Sequence, residues 1–470
     1  MASQRIRDPV HDLIEFADSK ASELEHHLWQ VLQTRAFQRL RRVKQLGFSD
    51  LVYPGASHSR FAHSVGVFHT ARQLMGVVRE HGSAKSKEDR ALAAALVHDL
   101  GHGPFSHAFE KVGKRLGLKL ADHENMSDLL IRQGEVADVL NRMGSGFAND
   151  VANIVKKDGV TSVEHAVVSS QFDADRLDYV RRDRMMTGTQ HAAIDFRWLI
   201  ANLEVRPVPM GVDAEQVGTI DTFVLGPKAI HAAEAFVLGL FQLYPTVYFH
   251  KATRGAEKIF TELLVRVEEL ARDGKRLTTG LPANHPLVRF AEDPDNVDVA
   301  LSLDDAVIWG ALSLMADGSD PVVAELSVRL RDRRLYRCHD IHAQVAHALS
   351  PHNDRATQAS AMIDRCCAEI SRKLTEWAAQ WKNGCPRILI DSDERSPYKS
   401  VSESKGPLDR INIRTDGGLL VDLKERSSVI AALNAYKLFR VYLDRSDAEA
   451  EDAVRKIVEG EVAKCRTQTP

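Results

Sequence analysis

Apolar residues recur every three or four positions through most of the chain up to about residue 390, the period of a helix buried along one face. The segments 20–46, 62–80, 88–100, 124–141, 163–190 and 229–272 carry this period and predict helices. No unit of about 30 to 45 residues repeats, which excludes a solenoid. Three stretches break the pattern. Between Leu203 and Pro227, the residues Pro207, Pro209, Gly211 and Gly218 interrupt β-branched positions, predicting a hairpin over about 203–227 that projects from the helices. Residues 273–298, rich in Gly, Pro, Asn and Asp, read as a connection between two helical layers. Beyond Gly384–Pro386 the texture changes again. Arg387–Asp391, Ile411–Arg414 and Leu419–Asp422 predict strands, with Asp416-Gly417-Gly418 as a turn, then a helix over Val429–Leu438 and a strand over Phe439–Leu443. The expected architecture is mainly α: a helical body over 1–385 and a small C-terminal α+β lobe over 386–470.

Composition narrows the class. Of 470 residues 44% are apolar, enough for a sizeable core, and 62 basic against 65 acidic side chains leave a net charge of −3. No global field draws such a chain to nucleic acid or anionic lipid. The longest apolar run, Ala91 to Val97, falls far short of the roughly 20 residues of a membrane span. The first residues, Met1-Ala-Ser-Gln-Arg5, lack the apolar stretch of a signal peptide. Five cysteines form no CxxC pair and are odd in number, so neither a disulfide framework nor a zinc knot is expected and a cytoplasmic setting is.

The chemistry-bearing residues gather in three places. The chain holds three His-Asp dipeptides, His11-Asp12, His98-Asp99 and His339-Asp340, and context separates them. Glu88 to Val97 is a strong helix former that delivers His98 and Asp99 at its end, where Gly101 breaks it before His102-Gly-Pro-Phe-Ser-His107. Adjacent imidazole and carboxylate, followed by glycines that admit close backbone approach, suit a bound cation. Upstream, Tyr53 to Ser64 is a turn entering a helix, with Arg60 and His63 about one turn apart. Downstream, Asp175, Arg176, Tyr179 and Asp183 fall at spacings of one, three and four on one side of a helix. Taken singly, a histidine at a helix end partners the dipole and such a stripe is a solvated face. Together, in this order, they describe a pocket for a phosphorylated sugar.

On these residues the chain resembles the HD-domain superfamily of metal-dependent phosphohydrolases. Within it the likeness is to the deoxynucleoside triphosphate triphosphohydrolases, the bacterial dGTPase-like enzymes and their vertebrate sterile-alpha-motif relative. The likeness runs through Ile6–His11, Phe37–Arg41, Lys44–Gly47, Tyr53–Ser64, His98–His107, His123-Glu124 and Asp173–Asp183, and more weakly through Arg333–Arg337 and Pro407–Arg410. It implies that His63, His98, Asp99 and Asp175 hold one divalent metal ion, whether Mg, Mn, Fe or Zn. It implies further that His102 is the general acid with His123 close by, and that Glu110 stands where the family has an orienting aspartate. Arg60, His107 and Arg176 would contact phosphate oxygens, Tyr179 and Asp183 the deoxyribose and its 3′-hydroxyl, and Gln45 and Leu46 the base. Tyr248 would close the sugar side. Lys251, with Arg254, would replace an arginine whose place is taken by Leu240. The implied reaction turns a dNTP into a deoxynucleoside and inorganic triphosphate. The implied partners are an effector nucleotide, gripped by Arg333 and Arg337 with Gln33 replacing a guanine-reading aspartate, and further copies of the chain in a dimer or tetramer.

Two alternatives stand beside this reading. One is an HD phosphohydrolase of nucleotide monophosphates, phosphodiesters or single-stranded nucleic acid ends, in which His102 and His123 bind a second metal. The other is an inactive nucleotide- or nucleic-acid-binding module using the basic runs Arg39 to Lys44, Arg181 to Arg184 and Arg329 to Arg337, whose plainer role is pairing with neighbouring acids. The intact ligand set argues against the second.

Overall fold

The helix Lys85–Val97 buries every residue from Ala91 to Val97, so its second half is apolar on all sides and sits centrally. It packs against the helices Arg60–Glu80, Phe147–Lys156 and Val163–Val168, and Arg60–Glu80 packs in turn against Ala174–Thr187. A computed structural model describes residues 2–82, 85–156, 162–212, 215–349, 356–381, 384–396, 398 and 407–467. It is mainly helical, a helical body with an additional α+β region. Among the described residues no helix is long and apolar enough to cross a membrane.

The chain folds into two compact units, each assembled from distant segments: Met1–Tyr248, Asp293–Val307 and Ser396–Asn434 in the first, Phe249–Glu292, Ile308–Arg395 and Ala435–Pro470 in the second. Their limits do not follow a single break at residue 385. The expected hairpin is present as antiparallel strands Leu203–Val212 and Glu215–Leu225. The short strands Asn412–Arg414 and Leu420–Asp422 extend its sheet, Val224 pairing in parallel with Asn412. The strand Ile388–Arg395 instead flanks Tyr436–Leu443 in a three-stranded sheet of the second unit, with Arg337–Asp340 on the other side. Helices Ile341–Leu349, Ala356–Ala378 and Ala448–Thr467 cover that sheet over a core including Val345, Ile370, Leu374, Val441 and Leu443. Helix was expected over Val429–Leu438, but it stops at Ala431 and the strand starts at Tyr436. As the central strand, Tyr436–Leu443 bonds on both edges, and that outweighs a short helical period.

Four long helical expectations are also divided, the first of them at Thr34, between Glu23–Gln33 and Arg35–Arg39. Gly134 at φ +72° separates His123–Arg132 from Gly134–Leu140, and the bend at Ser169–Asp173 separates Val163–Val168 from Ala174–Thr187. A π-helical turn, Tyr244–Tyr248, follows Ile230–Leu243 where Pro245 lacks an N–H, and Lys251–Arg272 begins afresh. The N-terminal strands Gln4–Asp8 and Asp12–Phe16 form a hairpin that periodicity did not signal.

Arg39, one of the basic-run residues, is a buried strut. Its guanidinium donates to the carbonyls of Leu303 and Leu100 at 3.0 Å and of His102 at 2.7 Å. Replacing it with Met strands three carbonyls and is expected to destabilise the protein by about 3 kcal/mol or more, measurable by urea unfolding. Around it Arg42 pairs with Asp304, Lys44 with Asp50, and Arg41 lies over the Phe61 ring. In the second unit Arg329, Arg331 and Arg337 face Asp444, Asp332 and Glu451.

Candidate active site

Ser59 accepts a hydrogen bond from the Ala62 N–H and starts the helix Arg60–Glu80, so Arg60 and His63 both lie buried in its first turn. His98 and Asp99 follow the end of Lys85–Val97, and His98 Nδ1 bonds the Ala95 carbonyl at 2.9 Å, which leaves Nε2 free to face inward. Asp173 caps Ala174–Thr187 and sets Asp175 in its first turn. Gly101 brings in the fourth element. A Cβ there would stand 2.3 Å from the His123 carbonyl oxygen, so only glycine lets the helix His123–Arg132 lie this close.

Four expected ligands converge. His63 Nε2 lies 3.0 Å from Asp175 Oδ1 and 3.6 Å from Asp99 Oδ2, while His98 Nε2 lies 3.4 Å from Asp99 Oδ1 and 3.7 Å from Asp175 Oδ1. The ligand atoms of His63, His98 and Asp99 all fall within 4.8 Å of one another. Both imidazole Nε2 atoms are buried without a hydrogen-bond partner. Two orphaned imidazole nitrogens facing two carboxylates fit a divalent first-row cation. Burial alone would lower the His63 imidazole, but Asp175 and Asp178 outweigh it and push it up to about 10. His98 is raised against burial by Asp99 and Asp175. A cation entering this cage therefore competes with protons.

A second group adjoins the first. His102 Nε2 stands 3.3 Å from Asp99 Oδ1, and its ring stacks on His123 with centroids 4.0 Å apart. Glu110 Oε1 lies 2.6 Å from His123 Nδ1, 3.1 Å from His107 Nδ1 and 3.6 Å from His102 Nδ1. Burial works against the Glu110 charge, yet His107 and His123 hold its carboxyl far below the usual range. Burial also opposes charge on His123, but Glu110 raises it. His102 is driven well down by burial, Arg60 and His123. The turn carrying these residues is unusual: Phe105 and Ser106 have φ of +53° and +57°. It is held by Asp305, which accepts the Phe105 N–H at 2.7 Å, and by Ser106 Oγ, which donates to the Lys44 carbonyl. Arg60 donates to Ser106 Oγ at 2.7 Å and to Asp99, so the residue expected on phosphate is engaged with a candidate ligand carboxylate.

On the sugar side, Asp183 is buried with one oxygen 2.9 Å from His58 Nε2 and the other accepting from the Tyr248 hydroxyl at 2.8 Å. Tyr179 meets Tyr248 edge-on, with centroids 6.3 Å apart. The π-helical turn places Tyr248 there, and Tyr53 donates its hydroxyl to that turn at the Thr246 carbonyl. Arg176 donates to Gln171 at 2.9 Å and lies 3.7 Å from Asp173. Gln45 bonds the His58 carbonyl through its N–H, and its side-chain oxygen is buried without a partner, while Leu46 beside it is half-buried. Lys251 is exposed in the first turn of Lys251–Arg272, within the second unit. Arg254 is committed to Asp391, and Leu240 is buried in its helix. His58 and Asp178 were not singled out. His58 lies in a turn without periodicity, and Asp178 is one helical turn beyond Asp175 but points inward.

Residues 60–179 match the family described as HD domain. The uncharacterized protein YwfO of Bacillus subtilis is 34% identical over 337 residues, covering 70% of each chain. A phosphohydrolase crystal structure from Bacteroides thetaiotaomicron superposes with a TM-score of 0.69 at 26% identity, covering 94% of this chain and 100% of its own. The chain belongs to the HD-domain phosphohydrolase family. This HD-domain protein is also similar to the deoxynucleoside triphosphate triphosphohydrolase SAMHD1 of Mus musculus, 24% identical over 496 residues that span 96% of this chain and 70% of the relative.

Proposed function

We propose that this HD-domain protein hydrolyses dNTPs to a deoxynucleoside and inorganic triphosphate. The observation that carries the reading is the buried Asp183, held by His58 and Tyr248 two helical turns from Asp175, about 12 Å along one axis. A carboxylate between an imidazole and a phenol, beside a second tyrosine, supports a sugar hydroxyl site placed beside the ligand cage. His63, His98, Asp99 and Asp175 would hold the ion. Bound there, a divalent cation lowers the pKa of water and neutralises phosphate charge. The chain's own residues divide the remaining work. In place of the expected His102, His123, raised by Glu110, holds the proton for the 5′ oxygen, because burial, Arg60 and His123 lower His102 and keep it neutral beside Asp99. Arg176 and His107 are the remaining candidates for phosphate oxygens, since Arg60 is engaged with Ser106 and Asp99. Gln45, with an unused acceptor, and Leu46 would meet the base.

An effector nucleotide, a dimer or tetramer, and a cytoplasmic setting complete the proposal. Incubating the protein with each dNTP and Mg²⁺ or Mn²⁺, with and without GTP, is expected to release deoxynucleoside and triphosphate in equal amounts on ion-exchange chromatography. Turnover of monophosphates or diesters alone would replace the proposal with its alternative. One observation favours that alternative: the ligand atoms of His102, His107, Glu110 and His123 also lie within 4.8 Å of one another, the spacing of a second ion. Metal content near one per chain supports the first reading, near two the second.

A further inference from the structure

We infer that the first hairpin of the chain is part of the support of the metal cage: His11 and Asp8, through Asp178 and Arg182, fix the orientation in which His63 presents Nε2. The inference rests on the reading of His63 as a metal ligand. A ligating histidine is oriented by what its other ring nitrogen bonds, most often a carboxylate. Here His63 Nδ1 lies 2.9 Å from Asp178 Oδ2. Donation of that N–H to a carboxylate leaves Nε2, once its proton is displaced, as the lone-pair nitrogen facing Asp175 and Asp99.

Asp178 is fully buried and held in turn from two sides. His11 Nε2 stands 2.6 Å from its Oδ1, while Arg182 donates to Oδ2 at 2.8 Å and to Oδ1 at 3.0 Å. The far edge of Arg182 grips Asp8 through bonds of 2.7 and 3.2 Å. Asp8 accepts as well from the backbone N–H groups of Val10 and His11 at 2.9 and 3.1 Å. One carboxylate therefore ties down Arg182 and shapes the turn that delivers His11. That turn closes the strands Gln4–Asp8 and Asp12–Phe16, with Asp12 at φ +61°.

The packing makes room for this chain of contacts. At Gly66, three residues after His63, a Cβ would stand 2.1 Å from Asp178 Oδ1 and 2.3 Å from Arg182 Nη2. Burying an Asp-Arg-Asp network gains little stability over an apolar core of the same volume. Its use here is positional: a fully enclosed carboxylate, held by a separate hairpin, does not let the His63 ring turn.

The test uses full-length protein stripped with a chelator, the free Mn²⁺ signal in electron paramagnetic resonance as the measure of affinity, and thermal unfolding of the metal-free protein alongside. His11→Ala and Asp178→Asn are expected to weaken Mn²⁺ binding about tenfold or more. His11→Gln, whose amide can still donate to Asp178, should recover most of that affinity. Should Asp178→Asn fail to fold, the two His11 variants decide. Affinities of His11→Ala and His11→Gln within twofold of the unaltered chain would overturn the inference even if the melting temperature fell, since that pattern marks a purely structural hairpin. If the unaltered chain bound no Mn²⁺, the metal reading of His63 would fall first and take this inference with it.

Discussion

Asp175→Ala should abolish phosphohydrolase turnover, by about 10³-fold or more, and empty the protein of metal, while leaving it folded. The Asp175 carboxylate faces both imidazoles of the cage, 3.0 Å from His63 and 3.7 Å from His98. Without it one carboxylate remains to two imidazoles, and that carboxylate is shared with Arg60. Losing the charge stabilisation an ion provides at phosphorus corresponds to about 4 kcal/mol of barrier, or three orders of magnitude. The fold should survive because the Asp175 side chain is 34% exposed, so alanine leaves no buried cavity. Metal content after gel filtration, kcat and thermal unfolding together check this; a variant that keeps its metal and a tenth of its turnover would remove Asp175 from the ligand set. The same cage sets a pH dependence in the unaltered protein. With His63 pushed up to about 10, a proton occupies its imidazole at neutral pH, and His98 is raised as well, so apparent metal affinity should tighten from pH 6 to pH 8.

Removing the histidine proposed to carry the proton is the second large effect. His123→Ala should lower kcat by about 10²- to 10⁴-fold, the range of general acid catalysis, with metal content unchanged. A group that must be protonated acts below its pKa, so the rate should fall as pH rises through the His123 value. Glu110 raises that value and lies 2.6 Å away. Glu110→Gln takes away the charge, lowers the histidine and should move the alkaline limb of the kcat profile to lower pH. An unmoved limb in Glu110→Gln would take the proton away from His123. Loss of about one metal per chain in either variant would instead identify this group as a second ion site.

Much of the site could be read along the chain because its residues sit at helix ends and at helical spacings. A strong helix former stopping at Gly101 announces that His98 and Asp99 share one place, and the intervals of one, three and four from Asp175 to Asp183 announce a common face. The inward side of that same helix was not readable. Asp178 and Arg182 look like solvated charges along the sequence, and it is His63 together with Asp8 and His11, brought from the first hairpin, that makes their burial tolerable. The strand segments after residue 385 were recognisable as strands, but not their partners. Asn412–Arg414 joins the hairpin sheet of the first unit, whereas Ile388–Arg395 lies beside Tyr436–Leu443 in the second.

Residue type and local spacing thus suffice to place each candidate ligand on a helix face or at a helix end, because helical geometry is a short-range property of the backbone. Which faces meet was decided only when the chain closed on itself. A buried carboxylate is affordable only where a cation or a donor from elsewhere in the chain surrounds it, and strand pairing is completed only by an edge that another segment supplies.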